Sequence, residues 1–480
     1  MNYKIILKIL GYVLIIIAFS MIAPLIISMV THQDDMKAFA ISIVLTALIG
    51  FILSRLKIIK RKINTKEGVA IVALGWIVVS LFGALPFYIS GSIPSYVDAF
   101  FETVSGFTTT GATIIDDIEV LPMGILFWRS FTHWIGGMGI LVVAVAILPM
   151  IGSGGFQIFK AESPGPITDK IVPKIKDTAK ILYTTYIIIS LLEFVLLMLG
   201  GMTPFESAVH TFGTLGTGGF STRNASVGGF NSSYIFIVIS IFMIMSGANF
   251  SLYYLLFKGK WKEVLRNSEL KFYLGIIFVA VALITVNMNI NLYHNWFDSF
   301  KHSLFQVSSI ITTTGYSTFD FDQWTTFSKS ILFLLMFIGG CAGSTGGSIK
   351  VVRILALLKL VKKELVMVLH PRAVVVVKFD DKPVSEGSLL NISGFFMLYI
   401  LIFAIGTVII SYEGIGLEGA ASAVAATLGN VGPGFGFVGP THTYSGFSDF
   451  SKILLSFFML LGRLELFTVI ALLTPSFWRE

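Results

Sequence analysis

The sequence predicts an all-α integral membrane protein of about ten transmembrane helices: two N-terminal helices, then four helix–pore loop–helix repeats around one central pore. Three observations support this prediction, namely the apolar composition, a threonine–glycine motif that occurs four times, and the uneven distribution of lysine and arginine. The chain is 55% hydrophobic and 13% charged, so it carries about half the charge of an average soluble protein. Its apolar residues cluster in runs of about 18 residues or more, the length that spans a bilayer.

The chain begins with two predicted helices, near residues 5–30 and 38–58, and a basic run from Arg55 to Lys66 follows them. The stretch Ile5–Val30 is longer than the apolar core of a signal peptide and lacks a small-residue cleavage site, so we expect a retained helix. The first helix of each repeat is predicted near 68–91, 180–201, 271–289 and 388–412, and the second near 123–150, 233–257, 328–361 and 451–475. The predicted units are therefore residues 1–66, 67–160, 161–262, 263–372 and 373–480.

A motif rich in threonine and glycine lies between the two helices of each repeat. Its copies are Thr108–Thr113 (TTTGAT), Thr217–Thr222 (TGGFST), Thr312–Thr318 (TTTGYST) and the more divergent Gly429–Gly434 (GNVGPG). The key glycines that we align are Gly111, Gly219, Gly315 and Gly432. Their intervals of about 108, 96 and 117 residues exceed a solenoid repeat and suit two membrane helices with a loop. Gly219 is chosen over Gly218 because Gly-Phe-Ser-Thr matches Gly-Tyr-Ser-Thr.

Each loop is predicted to begin as a short pore helix that enters the membrane and returns. Residues 98–110 would extend only roughly 20 Å as a helix, less than a bilayer core of about 30 Å. Polar residues recur 13 and 9 positions before the key glycine: Asp98 and Glu102, Glu206 and His210, His302 and Gln306, with Gly419 and Ala423 in the fourth copy. Residues four apart share one helix face, so each pore helix should carry one polar stripe. The simpler interpretation is that these groups only cap buried helices.

Lysine and arginine concentrate in the connections between repeats, at Lys160–Lys180, Lys258–Lys271 and Lys350–Lys382. The positive-inside rule places these connections and both termini in the cytoplasm, so the four glycine loops enter from outside. Six acidic residues would then lie near the outer mouth: Asp116, Asp117, Glu119, Asp320, Asp322 and Asp449. They either raise the local cation concentration or are ordinary solvated charges.

Four loops of this composition are typical of an ion filter. A cation that enters a narrow pore loses its water, and backbone carbonyls replace those oxygens, as in the four carbonyl loops of potassium channels. Glycine permits the backbone angles that aim successive carbonyls at one axis, and threonine hydroxyls add further oxygens. The predicted filter residues are Thr109, Thr110, Gly111, Thr217, Gly218, Gly219, Thr313, Thr314, Gly315, Asn430, Val431 and Gly432.

A second glycine-rich segment interrupts the second helix of the third repeat. It contains Gly339, Gly340, Gly343, Ser344, Thr345, Gly346 and Gly347. Glycine disfavours a helix interior, and irregular backbone is tolerated in the membrane only inside protein or beside water. We therefore expect a loop beneath the filter; the alternative is a glycine face for close helix packing.

Arg463 lies at a similar predicted depth in the second helix of the fourth repeat. A charged side chain at that depth usually faces a cavity or a partner, so we expect it to bind carbonyls of the glycine-rich loop. Gly343, Ser344, Thr345, Gly346, Gly347 and Arg463 form the predicted gate. The alternative is a pair with Glu465 or a structural role.

Three further polar residues, Arg129, His133 and Glu193, fall within predicted membrane segments. Side chains near helix ends often extend to the interface, so no transport role is predicted for them. Cys341 is the only cysteine, which excludes an internal disulfide and a multi-cysteine zinc site.

The chain resembles the TrkH/KtrB/HKT superfamily of potassium transporters over essentially its whole length, and most closely the TrkH branch. The resemblance rests on the four loops, the two additional N-terminal helices, and the segments Trp134–Gly139 (WIGGMG), Ala161–Pro166 (AESPGP) and Gly340–Gly347 (GCAGSTGG). It implies four pseudo-equivalent repeats around one pore, with K+ at the filter residues, and glycine at position 111 implies a preference for potassium over sodium. Pro433 departs from the pattern: it fixes φ and lacks an amide proton, so the fourth loop cannot match the others.

The resulting expectation is potassium uptake across the plasma membrane by channel-like, passive movement through a gated filter. The resemblance implies a bacterial inner membrane, a homodimer with one pore per chain, and a cytosolic TrkA/RCK-type regulatory ring that binds nucleotides such as NAD or ATP. No enzymatic activity, covalent cofactor or nucleic-acid partner is expected. One rival is an alternating-access symporter, whose repeats do not usually carry four filter-like loops. The other is a membrane enzyme, for which seven scattered histidines give no metal-site spacing.

Overall fold

The computed structural model describes residues 1–57, 63–139, 175–380 and 382–478. The C-terminal part of the helix predicted at 123–150, the segment Ala161–Pro166, and parts of the basic runs at 55–66 and 160–180 lie outside the described residues. Within these ranges the chain is predominantly helical, and its two short strands, Lys378–Phe379 and Lys382–Pro383, pair antiparallel. The predicted all-α class is confirmed.

Six helices in the described part of the chain are long and apolar enough to cross a membrane: Tyr3–Val30, Met36–Ser54, Thr65–Ile89, Ala179–Leu199, Ser268–Tyr293 and Glu386–Glu413. The first joins helices Tyr3–Ser20 and Ile22–Val30, and the third joins Thr65–Gly83 and Leu85–Ile89. The fourth belongs to the helix Ile175–Leu199, the fifth ends in a π-helical turn at Asn289–Tyr293, and the sixth ends in a 3-10 turn at Ser411–Glu413. These are the two N-terminal helices and the first helices of the four repeats.

Each repeat then contributes a pore helix that is too short to cross. The four pore helices are Tyr96–Phe107, Pro204–Gly216, Trp296–Ile311 and Gly416–Leu428. Even the 16 residues of the third reach only about 24 Å at 1.5 Å per residue. The first three begin at capping side chains, from Ser95, Thr203 and Asn295. The fourth follows Ile415, which supplies no cap, so the fourth repeat differs at its helix start as well.

The second helix of each repeat is the inner helix, and it is interrupted more often than the sequence predicts. The described segments are Met123–Gly137, then Ser233–Ser246 with Phe250–Phe257, Thr326–Met336 with Val351–Leu369, and Asp449–Leu464 with Leu466–Leu473. The prediction of continuous helices at 233–257 and 451–475 is wrong. The second inner helix bends by 95°, because Asn249 caps a new helix by accepting a hydrogen bond from the Ser251 amide. The fourth breaks at Glu465, whose φ is +70°.

The inner helices close the four repeats into a ring. Each packs against the pore helix of the next repeat: Met123–Gly137 on Pro204–Gly216, Ser233–Ser246 on Trp296–Ile311, Thr326–Met336 on Gly416–Leu428, and Asp449–Leu464 on Tyr96–Phe107. The last contact joins the fourth repeat to the first. The glycine loops at the ends of the pore helices therefore meet at one centre, shielded from lipid.

Short helical segments connect or follow the larger elements. They are the α-helices Trp261–Arg266 and Pro475–Trp478 and the 3-10 turns Ser226–Phe230, Phe321–Gln323 and Gly436–Val438. The three 3-10 turns follow the second, third and fourth glycine loops and belong to the outer surface of the ring in the predicted orientation.

The two N-terminal helices cross at a pair of glycines. A Cβ atom added to Gly11 would lie 2.7 Å from the carbonyl oxygen of Gly50, and one added to Gly50 would lie 2.9 Å from that of Gly11. The crossing therefore excludes larger residues on either helix.

Gly50→Val should lower the melting temperature of the purified protein, since overpacking a close contact typically costs about 1–3 kcal/mol. Gly275→Val is the matched control, because Gly275 lies in a spanning helix with open space around it. A fluorescence melt in detergent measures both variants. Equal melting temperatures would contradict the close crossing of the N-terminal helices.

Candidate ion filter and intramembrane loop

The four glycine loops share one backbone conformation. The key glycines Gly111, Gly219, Gly315 and Gly432 have φ angles of +80°, +76°, +82° and +94°. The residue two positions earlier also has a positive φ in every loop: Thr109 (+56°), Thr217 (+58°), Thr313 (+60°) and Asn430 (+54°). Residues with a side chain adopt such angles only where the surroundings enforce them. The shared pattern makes Gly219, and not Gly218, the equivalent of the other three key glycines.

The key glycines also close a ring of backbone contacts, in which each loop forms one wall. A Cβ atom on each glycine would collide with the carbonyl oxygen of the residue just before the next key glycine: Gly111 with Gly218, Gly219 with Thr314, Gly315 with Val431, and Gly432 with Thr110. A side chain at any of these positions would push two walls apart. The ring therefore brings the predicted filter residues of all four loops together.

Each pore helix forms hydrogen bonds to the loop segment that follows its own key glycine. The contacting pairs are Glu102 with Thr113 and Ile114, His210 with Ser221, Gln306 with Tyr316, and Ser422 with Phe435, at donor–acceptor distances of 2.9 to 3.3 Å. The polar stripe thus does more than cap helices. In the fourth repeat, where Ala423 occupies the stripe position, the neighbouring Ser422 makes the contact.

Two buried tyrosines join neighbouring walls on the outer side of the ring. Tyr316 donates its hydroxyl to the Phe220 carbonyl at 3.1 Å. Tyr444 donates its hydroxyl to the Gly432 carbonyl at 2.7 Å, and its amide donates to the Thr113 carbonyl of the first repeat at 2.8 Å. Tyr316 belongs to the repeated motif. Tyr444 follows the fourth copy of the motif and is not part of any repeated pattern, so the sequence carries no signal for its contact.

At the other end of the ring, hydroxyl and amide side chains bind one another. The Thr312 and Thr314 hydroxyls lie 2.8 Å apart. Asn430, which replaces threonine in the fourth wall, donates from Nδ2 to the Thr110 hydroxyl and to the Met459 carbonyl, both at 2.9 Å. The substituted residue therefore joins the fourth wall to the first.

A cavity of about 130 Å³ opens on the outer side of the ring, and the four key glycines and Arg129 are among its lining residues. Three of the acidic residues predicted at the outer mouth connect different repeats: Asp116 accepts from Ser445 (2.8 Å), Asp117 from Asn224 (2.9 Å) and Asp322 from the Gly436 amide (2.9 Å). These carboxylates therefore hold the outer loops to one another, which neither sequence interpretation includes.

Residues 337–350 leave the third inner helix and form a loop against the ring. The Gly347 amide donates to the Thr313 hydroxyl at 2.7 Å, and a Cβ atom on Gly347 would lie 2.7 Å from the Gly429 carbonyl oxygen. Thr345 is fully buried, and its hydroxyl donates to the Ser246 carbonyl at 3.1 Å. This part of the loop lies at the pore-helix end of the third and fourth walls, and it is not a helical glycine face.

Arg463 contacts the loop, the ring and the first inner helix at once. Its Nη1 donates to the Thr345 carbonyl at 2.6 Å and to the Thr109 hydroxyl at 3.4 Å. Its Nη2 donates to the carbonyls of Gly136 and Gly137 at 2.6 and 2.8 Å. The last carbonyls of a helix have no partner within the helix, so the guanidinium satisfies the end of the first inner helix and a loop carbonyl together.

The remaining predicted gate residues lie apart from this cluster. Gly343 is exposed, and the Ser344 hydroxyl donates to the Cys341 carbonyl of the same loop at 2.6 Å. Glu465, the alternative partner considered for the arginine, forms an ion pair with Arg353 at 2.5 Å. Thr345, Gly346 and Gly347 are therefore the loop residues that the fold brings to the ring.

The three polar residues expected to extend to the membrane interface, Arg129, His133 and Glu193, are all buried. That expectation is wrong, because the ring covers the first inner helix, which carries Arg129 and His133, and because Glu193 faces the protein interior from the first helix of the second repeat. Arg129 is 2% exposed and donates from Nε to the Glu102 carboxylate at 2.6 Å. Its guanidinium lies 3.5 Å from the centre of the Phe220 ring. His133 Nδ1 lies 2.7 Å from the Gly106 carbonyl oxygen.

The sequence matches known proteins over its full length. Residues 31–479 match a family described as TrkH, a cation transport protein. The Trk system potassium uptake proteins TrkH of Escherichia coli (strain K12) and Salmonella typhimurium (strain LT2) are each 39% identical, with 100% of both chains covered. The Trk system potassium uptake protein TrkG of Escherichia coli (strain K12) is 34% identical, covering 98% of this chain and 97% of that protein.

The fold also matches a solved structure. The crystal structure of the potassium transporter TrkH from Vibrio parahaemolyticus superposes with a TM-score of 0.89, at 36% identity and with 100% of both chains covered. The predicted resemblance is thereby confirmed, and with it the expectation of a membrane transport protein and not an enzyme. The ring of four glycine loops and these full-length matches show that the chain belongs to the TrkH family of cation transport proteins.

Proposed function

We propose that this chain performs potassium uptake across the plasma membrane, by channel-like movement of K+ through the ring of glycine loops. One observation carries the proposal: each key glycine abuts the carbonyl of the residue before the next key glycine, so the backbones of all four walls close into one ring. The relatives named as potassium uptake proteins support the choice of ion. The proposed pore units are residues 67–160, 161–262, 263–372 and 373–480, with 1–66 outside the pore.

The chemistry of the ring suits a dehydrated monovalent cation. Carbonyl and hydroxyl oxygens carry no net charge and replace the water that K+ loses. The proposed ligands are the twelve filter residues of the sequence analysis, Gly218 among them, with K+ as the transported ion and no covalent cofactor. Glycine at all four key positions is the pattern that the family resemblance associates with potassium preference.

Gly315→Ser should reduce both K+ flux and the discrimination of K+ from Na+. The new side chain would collide with the Val431 carbonyl, and a non-glycine residue at positive φ costs about 1–2 kcal/mol, so the third wall distorts. Cation uptake into liposomes that contain the purified protein measures the effect for K+, Rb+, Na+ and Li+. Gly315→Ser and Gly111→Ser should each lose about tenfold in the K+/Na+ ratio, since roughly 1.4 kcal/mol is a factor of ten.

The matched control is Gly275→Ser, which adds the same side chain at a glycine with open space around it. It should retain the wild-type ratio. A ratio for Gly315→Ser equal to that of the control would contradict the filter assignment. Equal Na+ and K+ flux in the wild-type protein would contradict the potassium preference itself.

The proposed gate is the intramembrane loop together with Arg463. The loop reaches the ring through Gly347, and Arg463 binds it through the Thr345 carbonyl. A guanidinium close to the Thr109 hydroxyl places positive charge at one end of the cation route and repels cations. Opening requires the loop and the arginine to separate from the ring.

Arg463→Ala should raise K+ flux about tenfold in protein without any partner, because charged hydrogen bonds worth roughly 1.5–3 kcal/mol each then no longer hold the loop. Initial uptake rates in the same liposomes measure the change. Arg463→Lys keeps the charge but loses the planar fork, so its flux should lie between the two. A flux in Arg463→Ala equal to wild type would exclude the arginine from the gate.

We propose that the chain works as a homodimer in a bacterial inner membrane, with both termini cytoplasmic and a TrkA/RCK-type ring on its cytosolic face. The support is family resemblance and the exposed basic side chains of two inter-repeat connections: Lys260, Lys262, Arg266, Lys362 and Arg372. An acidic surface of the partner would complement these charges.

Charge reversal at Lys262 and Lys362 together should weaken binding of the purified regulatory ring, more so at low salt because exposed charges are screened. Binding is measured by pull-down, and stimulation by uptake assays with NAD or ATP added. Lys37→Glu, an exposed reversal at the start of the second N-terminal helix, is the control on the proposed outer face. Undiminished binding and stimulation in the double variant would contradict this docking surface.

A further inference from the structure

Arg129 and Glu102 form an ion pair inside the protein, next to the ring. Their side chains are 2% and 0% exposed, and Arg129 Nε lies 2.6 Å from the Glu102 carboxylate. By contrast, Lys260 and Glu263 of the cytosolic connection form a pair with both side chains 55% exposed. An ion pair with no access to water persists only where further hydrogen bonds satisfy both groups.

The additional contacts of the pair reach two different walls. Glu102 accepts hydrogen bonds from the Thr113 hydroxyl and the Ile114 amide, both at 3.0 Å, in the loop segment that follows Gly111. Arg129 donates from Nη1 to the Ser221 carbonyl at 3.4 Å, in the loop segment that follows Gly219. The pair is thus a continuous link from the first wall to the second.

The second wall is held at the same point from its own side. The Ser221 hydroxyl lies 3.0 Å from His210 Nε2 of the second pore helix, and Phe220 packs under the Arg129 guanidinium at 3.5 Å. Two other links to the first wall, from the Tyr444 amide to the Thr113 carbonyl and from the Asn430 amide group to the Thr110 hydroxyl, use neutral groups. A charge-assisted link is roughly twice as strong as a neutral one.

The pair also affects the field at the outer side of the ring. Arg129 is one of the residues that line the outer cavity together with the key glycines. A lone guanidinium there would repel an approaching cation, and Glu102 cancels that charge at 2.6 Å. Loss of Glu102 alone would leave a buried, uncompensated positive charge, whereas loss of both would not.

We infer that Arg129 and Glu102 are a positioning pair, which fixes the spacing between the first and second walls and so determines discrimination among monovalent cations. This inference rests on the proposed filter function. Neither residue contacts the ion; both act through the loop segments that follow Gly111 and Gly219.

The test uses full-length protein in liposomes and compares Glu102→Gln, Arg129→Gln, the double variant and Arg129→Lys, with Glu263→Gln as the control. The readout is the K+/Na+ uptake ratio, which does not depend on how much protein is folded. Each single neutral variant should lower the ratio about tenfold, the change expected when a charged hydrogen bond is lost. The double variant should keep the low ratio but pass K+ faster than Glu102→Gln, since the orphan charge is gone.

A wild-type ratio in both neutral single variants would overturn the inference, because a merely structural pair lowers only the yield of folded protein. If neither can be purified, Arg129→Lys decides: it retains the charge but cannot reach Glu102 and Ser221 together, so a lowered ratio supports the inference and an unchanged ratio overturns it. A wild-type protein that does not discriminate K+ from Na+ would refute the filter proposal instead, which separates the two failures.

Discussion

The structure depends on one constraint: irregular backbone can exist at membrane depth only if protein covers it and satisfies its polar groups. Four loops with two left-handed residues each would be unstable singly, and they become possible because each inner helix packs on the next pore helix. The glycine-rich loop of the third repeat obeys the same rule. Its amides and carbonyls are bound by Thr313, Arg463 and the end of the second inner helix.

Much of the fold could be predicted from the sequence, because hydrophobic runs and recurring glycines are local signals. The breaks in the second and fourth inner helices could not. Apolar residues dominate on both sides of each break, and the ion-pair partner of Glu465 at the second of these breaks, Arg353, lies 112 residues away in the chain. Hydropathy measures whether a segment prefers lipid, but it does not measure whether the segment stays helical.

The candidate site divides in the same way. The positions in the ring could be predicted, since a left-handed backbone demands glycine and the demand repeats in four places. The residues that hold the walls together could not, because Tyr444 and Arg129 make their contacts with other repeats. Arg129 also shows the limit of a rule based on depth alone: it lies near a helix end in the sequence, yet 2% of it is exposed, since another repeat covers that end.

The four walls have the same backbone shape but different supports: a carboxylate in the first, a histidine in the second, an amide in the third and a serine in the fourth. In a channel built from four identical subunits, every mutation is present four times. A change that is tolerated in one subunit can therefore abolish function when it is present in all four. A single chain with four unlike quarters receives each mutation once. In the proposed filter, ion preference can therefore change by one wall at a time during evolution, while the other three walls stay unchanged.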